Sequence, residues 1–325
     1  MSTNAIQTLV EQAEVEEPKS LVVVDLASFL TMELPPRELI LSPWLPKAGL
    51  GMIHAFRGIG KTHVSLGIAY AVARGGSFLG WEAPKARNVL YIDGEMPATA
   101  LQERLAQIVV MMGYELKGQL TIITPDFQEF GMPDIATREG QVLLNKYIPD
   151  NTDLIIIDNL SCLAPSIKEN DATDWAILQT WILGLRAKGK SVLLIHHSGK
   201  AGAQRGTSRK EDVLDTVITL RRPKDYDSSE GARFIVEFEK SRGFCGENAK
   251  SFEAQLRTDG KGKPCWTMKS IEESTYEKVV TMLKDGMTQQ EIADELEIHK
   301  STVSRYANKA REAAASYKAT KQGER

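Results

Sequence analysis

Between residues 49 and 222, short apolar runs alternate with longer segments whose apolar positions recur every three or four residues. The runs fall at 51–55, 88–93, 121–124, 154–158 and 191–196; the amphipathic segments fall at 61–74, 99–112, 139–147 and 172–188. A run such as Leu154-Ile155-Ile156-Ile157 offers no polar side to solvent, so it belongs in a sheet covered on both faces. Strands and helices in regular succession predict parallel neighbours joined by right-handed crossovers, a doubly wound, mostly parallel α/β core. From Val213 the texture changes. Strand-like runs at 217–221, 232–239 and 251–257, with a short edge at 265–268, follow one another without helices, as antiparallel hairpins do. After Ile271 the pattern turns helical again, at 275–283, 289–296 and 300–315.

The ends read differently. Residues 1–24 form a polar arm rich in acids (Glu11, Glu14, Glu16, Glu17), closing on an apolar piece from Leu21 to Leu26. Pro35, Pro36, Pro43 and Pro46 then exclude a long helix. The expected division is an arm at 1–24, an α/β body at 25–268, a linker at 269–274, an all-α domain at 275–315 and a basic tail at 316–325. Across 325 residues the net charge is -3, which excludes a globally basic nucleic-acid coat. No apolar run approaches the roughly 18–20 residues of a membrane span, and the first residues lack a basic start and apolar core. A cytoplasmic protein with no membrane partner is expected. Cys162, Cys245 and Cys265 are scattered without a CxxC pair, which argues against a zinc site or disulfide framework.

The chemistry concentrates where strands end. Ala55-Phe56-Arg57-Gly58-Ile59-Gly60-Lys61-Thr62 joins an apolar strand to an amphipathic helix and matches a phosphate loop, with Ala55 at the first glycine position. Gly58 and Gly60 let backbone amides curl around phosphate oxygens at a helix N-terminus. Arg57, Gly58, Ile59, Gly60, Lys61, Thr62 and His63 are the expected nucleotide-binding set, with Lys61 on the outer phosphates and Thr62 on magnesium. Asp158, read as ending a strand adjacent to that loop, would meet the magnesium shell through water. Glu95 follows another strand and would orient or deprotonate the attacking water, with Asp93 as its rival. His196 and His197 end the next strand, where an imidazole could sense a γ-phosphate. Trp44, Phe56 and Tyr226 are candidates for the adenine contact.

As a set, these residues and the run His196-His197-Ser198-Gly199-Lys200 resemble the RecA-type NTPases. Pro35-Pro36-Arg37-Glu38-Leu39 and Trp44-Leu45-Pro46 add similarity to the branch of plasmid RepA-like hexameric replicative helicases and related phage or plasmid ATPases (AAA_25-like). The resemblance covers roughly 25–260. It implies a RecA-like fold, ATP and Mg²⁺ as ligands, and a nucleotide held between subunits of a homo-oligomeric ring, expected to be a hexamer. Lys240-Ser241-Arg242 matches the family's basic finger, which a neighbour inserts toward the γ-phosphate. The loop at 198–212, with Lys200, Arg205, Arg209 and Lys210, resembles the channel-facing loop that grips single-stranded DNA. A second DNA loop falls at 164–174, with Lys168 as its one cation.

The terminal helices resemble a helix-turn-helix. Thr288 and Glu291 form a capping box, and Ile292, Ala293, Leu296, Ile298 and Val303 supply a small core. Lys300, Ser301, Thr302, Ser304, Arg305, Asn308 and Lys309 would face duplex DNA or its phosphates. From residue 300 onward, 7 basic residues stand against 2 acidic ones. The resulting expectation is an ATP-driven ring motor on DNA resembling replicative helicases. The alternatives are a DNA-bound ATPase that loads or regulates partners without unwinding, and an ATP-switched transcriptional regulator.

Overall fold

The structure, a computed structural model, describes residues 22–34, 36–167, 172–198 and 212–323. Two compact units divide the chain, residues 1–37 and 38–325. In the first, Asp25 caps helix α1 (Leu26–Thr31) by accepting from the Ser28 amide at 3.0 Å. The sequence pattern had marked only an apolar piece there, ending where this helix begins.

The second unit opens with a small antiparallel pair, β1 (Leu39–Leu41) and β2 (Leu45–Pro46). The core strands follow: β3 (Leu50–Ala55), β6 (Val89–Asp93), β7 (Leu120–Ile123), β8 (Leu154–Asp158) and β9 (Ser191–His197). A minor hairpin, β4 (Ser77–Phe78) with β5 (Trp81–Glu82), lies between β3 and β6 in the chain. After β9 come β10 (Thr216–Arg221), β11 (Arg233–Ser241), β12 (Phe252–Thr258) and β13 (Pro264–Ser270). Nine of these form one sheet in the order β13-β12-β11-β10-β3-β9-β8-β6-β7. From β10 to β7 all neighbours are parallel; β11, β12 and β13 continue antiparallel.

That order corrects one expectation. Asp158 does not end the strand beside the phosphate-loop strand, because β9 lies between β3 and β8. Asp158 still reaches the loop's helix, since α2 (Lys61–Arg74) crosses toward β8 and sets Ser65 within 2.8 Å of that carboxylate. Helices cover both faces, as all-apolar parallel strands require. On one face α2 and α3 (Ala98–Met112) pack with Trp44, Phe78 and Trp81. On the other, α4 (Arg138–Asn145) and α6 (Ala172–Ala187) bring in Leu144, Trp175, Leu178 and Ile182. The short α5 (Leu160–Leu163) directly follows β8. Gly67 of α2 is obligatory for this packing: a Cβ there would lie 2.3 Å from the Phe78 ring.

Residues 269–274, expected as a linker, are the end of β13 and the first turn of α7 (Ile271–Lys284). Ser270 caps α7, with Glu273 completing the box, so the strand passes into the helix with no intervening coil. Helices α8 (Gln289–Leu296) and α9 (Lys300–Gly323) follow, and Val279, Ile292, Ala293, Val303 and Tyr306 form a separate small core. Residues 316–323, expected as a tail, continue α9. The group is tied to the sheet: Ser274 donates to Glu253 of β12 at 2.8 Å, and Lys278 donates to Asp225 at 2.8 Å.

Candidate active site

Strand β3 ends at Ala55 and the chain bends through Gly58 (φ 76°) and Gly60 (φ 124°) into α2. Both angles lie where an L-side chain is strained. At Gly60 a Cβ would also press within 3.2 Å of the Phe234 ring. No side chain caps α2 at its start. Its first amides therefore remain donors directed at whatever lies over the bend, and its dipole favours an anion there.

Around this bend is a cavity of about 650 Å³. Arg57, Gly58, Ile59, Gly60, Lys61, Thr62 and His63 all line it, as the sequence indicated. Lys61 is buried and donates to the carbonyls of Ala55 (2.9 Å) and Phe56 (3.2 Å). Burial lowers its pKa to about 8, with Asp158 and Glu95 opposing that shift. His63 is pushed down to about 4 by burial and by the nearby charge of Arg104, so it is a neutral lining group at pH 7.

Asp158 lies at the cavity floor, where burial raises its pKa. Its Oδ2 accepts from the Tyr91 hydroxyl at 2.6 Å and the Ser65 hydroxyl at 2.8 Å, and Thr62 also bonds to the carboxylate. A hydroxyl paired with a carboxylate is a hard-oxygen set that fits magnesium. Among the described residues no group of three His, Cys, Asp or Glu could hold a metal alone, so the ion would be shared with nucleotide phosphates.

The two carboxylates of the β6 turn differ in kind. Asp93 is buried, accepts from the Met96 amide at 2.9 Å, and is raised to about 6 by burial. Glu95 projects into the cavity, accepts from the Asn159 side-chain amide, and lies 3.5 Å from His197 Nε2. Of the histidine pair, His197 lines the cavity. His196 is buried and does not, because successive strand residues point to opposite faces. Burial and the Lys61 charge lower the His197 pKa.

Three groups had not been singled out from the sequence. Arg222 donates to the Gly58 carbonyl at 2.8 Å and stacks on Tyr226, its guanidinium 3.5 Å from the ring centroid. Arg104 and Asn159 complete the rim. The signal for Arg222 was its place just past a strand end, beside Arg221. Of the adenine candidates, Tyr226 lines the cavity; Trp44 is buried against Trp81, and Phe56 is exposed but not among the lining residues.

Lys240 and Arg242 do not line this cavity. Ser241 pairs with Thr216, which pairs with Gly51 at the start of β3, whereas the phosphate loop follows Ala55 at its end. The basic pair is thus at the opposite edge of the sheet, about 13 Å along the strand direction at ~3.3 Å per residue. There Arg242 donates to the Asp212 carbonyl at 3.1 Å, and its backbone amide donates to the Asp215 carbonyl at 2.9 Å. Lys200, Arg205, Arg209, Lys210 and Lys168 lie outside the described residues. On α9, Lys300, Ser301, Arg305 and Lys309 are exposed, and Thr302 and Ser304 are half-buried.

A glycine-bearing strand-to-helix bend, its lysine, and an acidic strand tip bonded to that helix define a P-loop ATPase on a mostly parallel sheet. The AAA domain family (AAA_25) matches residues 12–203, more than half of the chain, and the chain belongs to that family. No curated protein matches it. Two solved structures are similar: the flagellar accessory protein FlaH from Methanocaldococcus jannaschii and the KaiC-like protein PH0186 from Pyrococcus horikoshii OT3. FlaH is 14% identical, covering 69% of this chain and 91% of its own, with a TM-score of 0.46. PH0186 is 15% identical, covering 71% and 93%, also with a TM-score of 0.46. Among the described residues no helix is long and apolar enough to cross a membrane.

Proposed function

We propose that the chain is an ATP-hydrolysing, ring-forming motor on DNA, of the kind found among plasmid and phage replicative helicases. The position of Lys240 and Arg242 carries this reading. They are a basic pair at the sheet edge away from their own phosphate loop, a placement that supports a role at a neighbour's site. In that arrangement Glu95 orients the attacking water, with Asn159 and His197 fixing its carboxylate. Lys61 and the α2 amides hold the phosphates. Magnesium, bound through Thr62 and through water to Asp158, would neutralise phosphate charge. Arg242 from the next subunit stabilises charge developing at the γ-phosphate, an effect of about three to five decades in comparable enzymes. His197, beside Glu95, reports the γ-phosphate to the segment that follows Ser198, where the cations expected to grip single-stranded DNA fall. Tyr226 with Arg222 on its face offers a platform for the base.

Mixing two inactive variants tests the ring. Lys61→Ala and Arg242→Ala should each abolish hydrolysis, while a 1:1 mixture should recover about a quarter of the parent rate, the share of interfaces uniting intact partners. No recovery, with a monomer by light scattering, would overturn the reading.

The terminal helices support a role beyond threading a single strand. Helix α8, the turn at Glu297 (φ 50°) and α9 resemble a helix-turn-helix, and the exposed Lys300, Ser301, Arg305 and Lys309 would suit duplex phosphates. Because α7 is bonded to Glu253 of the sheet and to Asp225 in the β10–β11 connection, duplex binding there would favour a second reading, an ATPase seated on DNA that loads or regulates partners. A forked substrate separates the two: displacement indicates a helicase, and DNA-stimulated hydrolysis without displacement indicates a loader.

A further inference from the structure

One polar chain, centred on a buried histidine, crosses the middle of the sheet and has no part in holding phosphate. His54, the next-to-last residue of β3, is fully buried, yet both ring nitrogens have partners. Nδ1 is 2.8 Å from the Ser198 hydroxyl, and Nε2 is 2.8 Å from Glu239 Oε2. An ionised carboxylate only accepts. A neutral imidazole therefore carries its proton on Nε2, donating to Glu239, and accepts the Ser198 hydroxyl proton at Nδ1.

Burying an imidazole is expensive unless both nitrogens are bonded, and an apolar residue would fill this strand position at lower cost. The backbone is also shaped for the contact. In the β10–β11 ladder Val217 faces Lys240 while Ile218 faces Phe238, so Glu239 is the extra residue of a bulge. A bulge re-aims one side chain; here it carries Glu239 past β10, the strand lying between β11 and β3, to His54. The three partners occupy three functionally distinct places. Ser198 immediately follows His197, its amide donating to the Ala55 carbonyl at 2.9 Å. Two residues after His54 the phosphate loop begins. Glu239 immediately precedes Lys240-Ser241-Arg242.

We propose that His54 is a positioning residue that links the two halves of each chain's work. Its Ser198 arm holds the His197 strand end against the chain's own phosphate loop. Its Glu239 arm holds the strand that presents Arg242 to the neighbour. The inference rests on the finger acting between subunits. Its two arms are separable, because the Asn amide superposes on the Nδ1 side of the ring and the Gln amide on the Nε2 side. His54→Asn thus keeps the serine arm and loses the carboxylate arm, and His54→Gln does the reverse.

The test places these variants in the mixed ring. Donor subunits carry Lys61→Ala and supply only the finger; acceptor subunits carry Arg242→Ala and supply only the nucleotide site. His54→Asn in the donor should cut the composite rate about tenfold, as small misplacements of a catalytic group do, and in the acceptor should change it by less than about twofold. His54→Gln should show the reverse dependence. Glu239→Ala, which removes the acceptor of the Nε2 proton from a position 37% exposed, should behave as His54→Asn does. A merely structural role would lower the rate equally in either placement, and that result overturns the proposal. If the unmodified donor and acceptor fail to complement, the interface reading falls instead.

Discussion

Arg233 joins the nucleotide cavity to the terminal helices, and removing it should be costly in a specific way. Its side chain is 8% exposed. It donates to Glu253 at 2.7 Å, to both Glu230 oxygens at 2.9 Å, and to Asp225 at 3.0 Å. In Arg233→Met each carboxylate retains one partner: Ser274 for Glu253, the Asp227 amide for Glu230, and Lys278 for Asp225. Of the three, Glu253 alone is deeply buried, and its remaining partner is neutral. Breaking a buried pair costs roughly 3–5 kcal/mol; with two of three anions still compensated by a charge or by solvent, the low end applies. A loss of about 3 kcal/mol corresponds to a fall of roughly 4–5 °C in the thermal midpoint of a chain of 325 residues. The double variant Arg233→Met/Glu253→Leu removes both charges and should recover most of the loss. Because Arg233 anchors Asp225 and Glu230 beside the lining residues Tyr226 and Gly231, the single variant should also raise the KM for ATP. A midpoint shift under 2 °C, or a double variant worse than the single one, would refute the accounting.

Two further outcomes follow from other parts of the molecule. His63 titrates near 4 in the folded chain and near 6.5 when unfolded, so the unfolded state binds more protons between those values, and the stability His63 contributes at neutral pH is lost as pH falls through that window, by at most about 3 kcal/mol. Asp93, raised to about 6, acts in the opposite sense and loses stability as pH rises through the same range. The nucleotide-free His63→Gln variant should therefore melt above the parent at pH 4.5 and level with it at pH 7; equal shifts at both values would count against the assignment. If α9 faces duplex phosphates, Lys300→Ala and Arg305→Ala should each weaken duplex binding across sequences and reduce the salt slope by about one. An unchanged slope would assign that face to something other than DNA.

Much of this was legible because local chemistry repeats chain order. The phosphate loop, the strand ending at Asp158 and the helix at 61–74 each announce themselves within a few residues, and each stands where the pattern put it. Spatial order is not written that way. Leu154-Ile155-Ile156-Ile157 and Val192-Leu193-Leu194-Ile195 are interchangeable apolar runs, so nothing in either says that β9, not β8, adjoins the phosphate-loop strand. The supposed linker is a different failure. Ser270 and Glu273 were a capping box in plain view, obscured because a polar stretch between two patterns reads as coil. The bulge at Glu239 could not be read at all, since one added residue leaves the surrounding apolar positions nearly unchanged.

That unreadable residue bears on how the site can work. In the ring proposed above, the finger offered to a neighbour would have to depend on the state of the subunit's own nucleotide, although Lys240-Ser241-Arg242 and the phosphate loop lie at opposite ends of the strands of one sheet. A rigid parallel core transmits such a dependence poorly through apolar contacts, which have no direction. Hydrogen bonds do have direction, and the His54 chain is a directional path from the end of β3 to the residue preceding Lys240. The same physics explains why the coupling element would be buried and polar: in a low-dielectric interior a bonded imidazole tolerates little displacement before a partner is left unsatisfied. A shift at Ser198 is thereby opposed or passed on, not absorbed. The donor-specific loss expected of His54→Asn measures that transmission directly, since the altered side chain and the affected nucleotide belong to different subunits.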